Sequence, residues 1–261
     1  AVCGTDRNDL LVHGEQPVAP EAEEKYLNWI RQRAEHIPLQ QLTGEQGFMG
    51  LTFSVNEHVL IPRQDTEILV EEVLKELHDG MRVLDMCTGS GCILLSLLHY
   101  SNDCEGLGVD LSAEALEVAG RNVLKVLTPE KAEHAHFLQS DLFEKVEGKF
   151  EIIVSNPPYI ASAEVEKLMP EVRDHEPRMA LDGTEDGLYF YRRIIEEAGK
   201  HLVSSGMLFF EIGYDQGQAV SELMRTEGYC DVQVVQDYAG LDRVVFGTYV
   251  TVQPAPFAKS H

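Results

Sequence analysis

Between residues 82 and 250, apolar runs of strand length alternate with amphipathic stretches of helix length. The runs are "RVLDMC", "GLGVD", "AHFLQSD", "FEIIVS", "GMLFFEIG", "DVQVVQDY" and "RVVFGTYV". Their apolar residues are nearly continuous, the pattern of strands buried on both faces. Helical spacing recurs in "DTEILVEEVLKELHDG", from Gly91 to about Tyr100, in "SAEALEVAGRNVLKVL", near 186–203 and at 215–227. Asp65 or Thr66 is placed to cap the first of these helices and Gly80 to close it. The alternation predicts an α/β fold: a seven-stranded, mostly parallel, doubly wound sheet with helices on both faces. Only a few residues around Gly240 join the last two strands, so the last strand is antiparallel.

Ahead of this unit the pattern differs. Residues 1–46 are polar and helix-leaning. "APEAEEKYLNWIRQRAEHIP" opens on Pro20 with acidic residues in its first turn and offers Tyr26, Leu27 and Ile30 on one face. "FMGLTFSVN" and "HVLIP" read as two strands of a β-hairpin spanning 47–62. The expected organisation is therefore a small helical part (1–46), a hairpin linker (47–62) and the α/β domain (63–261).

Composition narrows the partners. Acidic residues outnumber basic ones 44 to 21, a formal charge of −23. A surface so charged repels phosphate backbones, and the densest basic group is only Arg31 to Arg33, which argues against long nucleic acid. The five cysteines form no CxxC pair and suit a reducing compartment. His134 and His136 lack a third ligand, so no metal is expected. No apolar run reaches membrane-spanning length, and no signal peptide is visible.

In a doubly wound sheet, ligands bind beyond the carboxyl ends of the strands. "RVLD" leads into "MCTGSGC", where Gly89 and Gly91 flank the turn into a helix. Asp110 stands 25 residues beyond Asp85 at the next strand tip, where a carboxylate can accept from both ribose hydroxyls. Asp141 and Leu142 end the third strand and suit an adenine amine and ring. Each feature has a plain structural alternative: a tight turn, a helix cap at Ser112. Leu94 stands where a third glycine would complete a dinucleotide fingerprint, so the pattern favours an adenosyl ligand without a pyrophosphate.

The fourth strand ends in Asn156-Pro157-Pro158-Tyr159. Proline lacks the N–H that would continue the strand, and it fixes φ. The turn is a stiff array of acceptors at the ligand edge: two backbone carbonyls and the Asn156 side chain. That array suits an –NH2 group on a planar system, with Tyr159 able to stack on the plane. Gripping both N–H bonds aims a weakly nucleophilic nitrogen at an electrophilic carbon.

With these residues the chain resembles the class I S-adenosylmethionine-dependent methyltransferases. More narrowly it resembles the HemK/PrmC family, which methylates N5 of a glutamine in peptide chain release factors. The likeness runs through "PLQQLTGEQGFMGLTFSV", "LIPRQDTEILVE", "VLDMCTGSGC", "SDLF", "IVSNPPYI", "EPRMALDGTEDGL" and "DYAGLDRVVFGTY". It implies that Cys87, Thr88, Gly89, Ser90 and Gly91 surround the methionine part of S-adenosylmethionine. Asp110 then holds the ribose, and Asp141 with Leu142 the adenine. Asn156, Pro157, Pro158 and Tyr159 cradle the substrate glutamine, Asn156 touching the cofactor too. Phe48 lines the substrate pocket, with plain hairpin packing as its alternative. Arg63 and Glu67 are placed as contacts or as salt-bridge partners. The resemblance further implies a cytoplasmic, monomeric enzyme acting on the GGQ glutamine of class 1 release factors. Two departures stand out. Cys87 replaces the first glycine of the cofactor loop, a change that negative φ would accommodate, and Gln64 replaces a proline. The helical front also looks shortened. Other readings of the residues are a nucleic-acid amine methyltransferase (adenine N6 or guanine N2) and a non-catalytic adenosyl-binding module.

Overall fold

A computed structural model describes residues 2–5 and 7–250. Residue 1 and residues 251–261, the outer ends of the first and last expected segments, lie outside the described residues. Three helices come first, α1 (Arg7–Val12), α2 (Pro20–Ala34) and α3 (Leu39–Thr43). The apolar face expected on α2 is half exposed, with Tyr26, Leu27 and Ile30 all in contact with solvent. The helical front is tied to the rest by polar contacts. Arg33 pairs with Glu171 at 2.9 Å, and Gln41 donates to the His175 carbonyl at 2.7 Å.

The hairpin exists but sits earlier than expected. β1 (Glu45–Phe48) pairs with β2 (Leu51–Ser54) around Met49-Gly50. "FMGLTFS" is thus a turn plus one strand, and "HVLIP" is not a strand at all. Val59, Ile61 and Pro62 are buried, and Val59, Leu60 and Pro62 wall a cavity. Glu176 holds that segment, accepting from the Ile61 amide at 3.0 Å and pairing with Arg63. Glu67 accepts from the Met49 amide at 2.7 Å, which fixes the hairpin turn. Asn122 binds both backbone groups of Ser54 and the Ser90 carbonyl, joining the hairpin to the loop after β3.

The main unit follows the expected alternation, except that its edge strands Ala135–Gln139 and Tyr229–Gln236 are largely exposed rather than buried on both faces. Its strands are β3 (Arg82–Met86), β4 (Glu105–Asp110), β5 (Ala135–Gln139), β6 (Phe150–Ser155), β7 (Leu202–Glu211), β8 (Tyr229–Gln236) and β9 (Asp242–Tyr249). Among the described residues these form one sheet of order β5-β4-β3-β6-β7-β9-β8. β9 lies between β7 and β8 and runs antiparallel to both. Helices α4 (Thr66–Glu76), α5 (Cys92–Tyr100) and α6 (Ala113–Val126) share one buried cluster with Val83, Ile152, Phe209 and Val244. After the short α7 (Pro129–Ala132), α8 (Ser162–Val165) and α9 (Pro170–Arg173), helices α10 (Tyr189–Ala198) and α11 (Gly217–Thr226) cover the other face. There they pack with Leu84, Ile153, Phe210 and Val245. Successive residues of each strand serve opposite faces, the period-two rule at work. α4 ends at Glu76, before Gly80, and Asp65 makes no cap bond; its carboxylate faces Arg243 at 3.4 Å.

The strand order reverses between β3 and β6. Their carboxyl ends therefore face one crevice, the place where such sheets bind ligands. Two backbone features shape that crevice. Cys87, immediately after β3, has φ +63°, in the left-handed region. The negative φ that would accommodate cysteine there is not adopted, because the turn onto α5 needs the opposite sign. The side chain is accommodated at a conformational cost of about 1 kcal/mol. The second feature is the segment that leaves β6. Ile160 exchanges backbone bonds with Leu181 and Gly183, and Ser162 bonds Thr184. This short ladder lays residues 181–187 against the proline turn. Gly187 has φ +71°, and a Cβ there would lie 2.3 Å from the Tyr159 carbonyl oxygen.

Two outcomes follow from these backbone constraints. Cys87→Gly is expected to be more stable than Cys87→Ala by about 1 kcal/mol in denaturant unfolding, since both lose the thiol and only glycine relieves the backbone. Gly187→Ala should lower stability by about 2 kcal/mol or more by displacing the turn at Tyr159.

Candidate active site

One cavity of ≈220 Å³ occupies the crevice. That is roughly fifteen times the room one water needs, so it suits a ligand of nucleoside size or larger. Cys87, Thr88, Gly89, Ser90, Asp110, Asp141, Leu142, Asn156 and Pro158 all line it. The expected cofactor end and the expected substrate end are thus walls of a single space.

At the β3 end, the loop is held from below. Asp85 is buried, and its Oδ2 accepts from the Thr88 hydroxyl at 2.6 Å. Burial pushes its carboxyl up to about 7, against the Thr88 bond. Its Oδ1 has no hydrogen-bond partner among the described residues. Gly89 opens onto empty space, with no atom within 4 Å of where a Cβ would stand. Gly91 does not line the cavity. It starts α5, and a Cβ there would press on Ala119 and Leu95 at 3.2 Å. Cys87 is half-buried; burial first, then the nearby Asp110 and Asp85 carboxylates, push its thiol pKa far up, which disfavours the thiolate.

At the β4 end, each Asp110 oxygen already holds one backbone donor, Gly89 at 2.8 Å and Ser112 at 2.9 Å. The helix cap anticipated as an alternative for Asp110 is instead made by Ser112, whose hydroxyl accepts from the Ala115 amide at 3.0 Å. Each Asp110 oxygen keeps a lone pair that can face the cavity. Burial raises its carboxyl pKa, and the Ser112 and Gly89 amides oppose the shift. Leu142 is buried with φ +47°, its side chain on the cavity wall. Asp141 also lines the cavity, while its Oδ1 accepts from Arg193 at 2.9 Å.

These walls fit S-adenosylmethionine: two carboxylate oxygens of Asp110 with lone pairs to spare, a backbone open at Gly89, and an apolar wall at Leu142.

At the β6 end, Asn156 is half-buried and Pro157 and Pro158 are buried. Asn156 lines the main cavity and also a second, of ≈110 Å³. Tyr159 belongs to the second space only, its hydroxyl donating to Glu211 at 3.3 Å. Phe48 lies in neither. It is 1% exposed, edge-on to Phe53 with centroids 6.0 Å apart, inside the hydrophobic core. The pocket role implied for it is corrected to hairpin packing, because β1 turns its side chain inward. Arg63 lines both cavities, whereas Glu67 serves the hairpin.

Sequence reasoning missed other walls. His58, Val59 and Leu60, read as a strand, close one side; Pro177, Met179 and Ala180 close another. The signal for the first was Pro62 with Asn56, which favour irregular backbone over a ladder.

The comparisons with known proteins agree with this geometry. Residues 63–172 match the Methyltransferase small domain model, and residues 1–44 match the PrmC N-terminal domain model. The chain is 42% identical over 244 residues to "Release factor glutamine methyltransferase" of Clostridium acetobutylicum, covering 92% of this chain and 85% of the relative. It is 44% identical over 245 residues to the protein of the same name from Moorella thermoacetica, covering 92% and 85%. Among solved structures, a methyltransferase from Pyrococcus furiosus matches with a TM-score of 0.57 and 18% identity, over 85% of this chain and 99% of that one, which supports the fold. The crevice, its two lined ends and these likenesses place the chain in one family: it belongs to the release factor glutamine methyltransferases.

Proposed function

We infer that this chain transfers a methyl group from S-adenosylmethionine to the side-chain amide nitrogen of the GGQ glutamine in class 1 release factors. The observation that carries the reading is that Gly89, Asp110 and Asn156 line one cavity. When bound, S-adenosylmethionine supplies an electrophilic methyl group whose bonding pair leaves with the sulfur.

The chain's own residues do the rest. Asp110 binds the ribose with its remaining lone pairs, and Leu142 gives the adenine an apolar wall. An amide nitrogen is a weak nucleophile because its lone pair is shared with the carbonyl. The Asn156 side-chain oxygen and a proline carbonyl accept its two N–H bonds. Those bonds orient the nitrogen and stabilise the positive charge that grows on it during attack, after which the nitrogen sheds one proton. The prolines hold the acceptors rigid, so little reorganisation is needed when charge develops. A protein substrate suits the formal charge of −23, which disfavours long nucleic acid. A cytoplasmic, monomeric enzyme completes the reading.

Mass spectrometry of a release factor incubated with enzyme and S-adenosylmethionine tests it: the glutamine peptide should gain one methyl group, and an unmodified peptide rejects the assignment. Asn156→Ala should lower kcat by about a hundredfold or more while calorimetry shows cofactor binding kept. Asp110→Ala should weaken cofactor binding about tenfold to a hundredfold, through the loss of hydrogen bonds to a charged acceptor.

A further inference from the structure

Leu60, Arg63, Asn156 and Ala180 line both cavities. They stand where the two spaces meet, so a substrate carboxamide gripped by Asn156 is flanked by the other three. The sheet places Asn156, at the end of β6. It does not place its companions. Residues 60–63 belong to no helix or strand, and Arg178–Ala180 is a single 3-10 turn. Pro62 has no N–H with which to anchor its segment, and the buried Ile61 amide needs a partner.

One side chain meets that need from the opposite wall. Glu176 is 6% exposed and immediately precedes the stretch 177–180. Its Oε2 accepts from the Ile61 amide at 3.0 Å, and its Oε1 accepts from Arg63 Nη2. Each carboxylate oxygen thus holds a different residue of the facing wall. The Glu176 amide donates to the Val172 carbonyl at 3.1 Å, which fixes where the side chain starts. A buried ion pair adds little net stability, because desolvation offsets the attraction. What two directed bonds do supply is a fixed geometry.

Resting on the function inferred above, we propose that Glu176 is a positioning residue: its carboxylate ties residues 60–63 to residues 177–180 and so sets the spacing of Leu60, Arg63 and Ala180 around the substrate amide at Asn156. The cofactor contacts inferred for Gly89, Asp110 and Leu142 lie on other segments and need no such tie. Glu176→Gln keeps the shape but leaves one acceptor oxygen and puts a donor in place of the other. It can hold Ile61 or Arg63, not both, and the second N–H then meets an N–H.

The test measures steady-state transfer to a release factor by Glu176→Gln, Arg63→Lys and Arg63→Met, with melting temperature and cofactor calorimetry alongside. Glu176→Gln and Arg63→Met are each expected to lower kcat about tenfold or more, because a small misplacement of the reacting group is costly. The Kd for S-adenosylmethionine should stay within about threefold of wild type in both. Arg63→Lys keeps a charged donor for Oε1 and should recover most of what Arg63→Met loses. The double variant of Glu176→Gln with Arg63→Met should be no slower than the worse single one, since both undo one tie. Wild-type kcat in folded Glu176→Gln protein overturns the proposal. So does a loss of cofactor affinity that matches the loss of kcat, the mark of a cavity loosened throughout. If Glu176→Gln fails to fold, the Arg63 pair decides, and Arg63→Lys as slow as Arg63→Met overturns the proposal. Failure of the wild type to methylate a release factor strikes the functional reading instead. The tie is then judged by hydrogen exchange at the Ile61 amide, which is protected in wild type and exchanges faster in Glu176→Ala if the tie exists; equal protection in the two overturns it.

Discussion

A parallel strand cannot simply stop: its last carbonyl groups face outward and need either a ladder partner or another use. At the end of β6 the two prolines remove the donors that would extend the ladder and fix the path of the backbone. Everything at the site is arranged around that ending. β3 lies beside it and delivers the open loop at Gly89, and the segment 181–187 packs behind it with glycine at the closest approach. The acceptors are stiff because the chain has no alternative conformation to take up there.

Behind the crevice lies a less expected division of labour. Parallel strands bring like ends together, so the carboxyl edge gathers Asp85, Asp110 and Glu211, each partly or wholly buried. Their pKa values all rise through burial. β9 runs the other way and brings Arg243 to this same edge from its amino end, where it pairs with Asp237 at 3.1 Å beside Asp65. A single antiparallel strand thus supplies the counter-charge that a wholly parallel sheet has no simple means of placing.

The legible parts were those where one local rule decides. Strands announced themselves as apolar runs, and the residues at their tips that line the cavity followed from the rule for doubly wound sheets. Thr88, Gly89, Asp110, Leu142 and Asn156 meet at one cavity for that reason. What was misread depended on distant partners. "HVLIP" has strand composition, but Glu176, more than a hundred residues away, takes its Ile61 amide out of any ladder. Phe48 was placed at the pocket by the family resemblance, yet β1 directs it inward onto Phe53. The positive φ of Cys87 was invisible because cysteine is an unusual residue for that backbone.

The inward-facing rings of the hairpin carry one more implication. Phe48 and Phe53 belong to the same buried cluster as the inner faces of α4 and α5. The helices before residue 45, by contrast, touch the body mostly through polar groups and leave their apolar residues wet. The seam along which this protein can be dismantled therefore runs upstream of the hairpin. The hairpin is built into the body, and the helices ahead of it are held on by a few polar contacts, so a change confined to those helices leaves the packing around the cavity untouched.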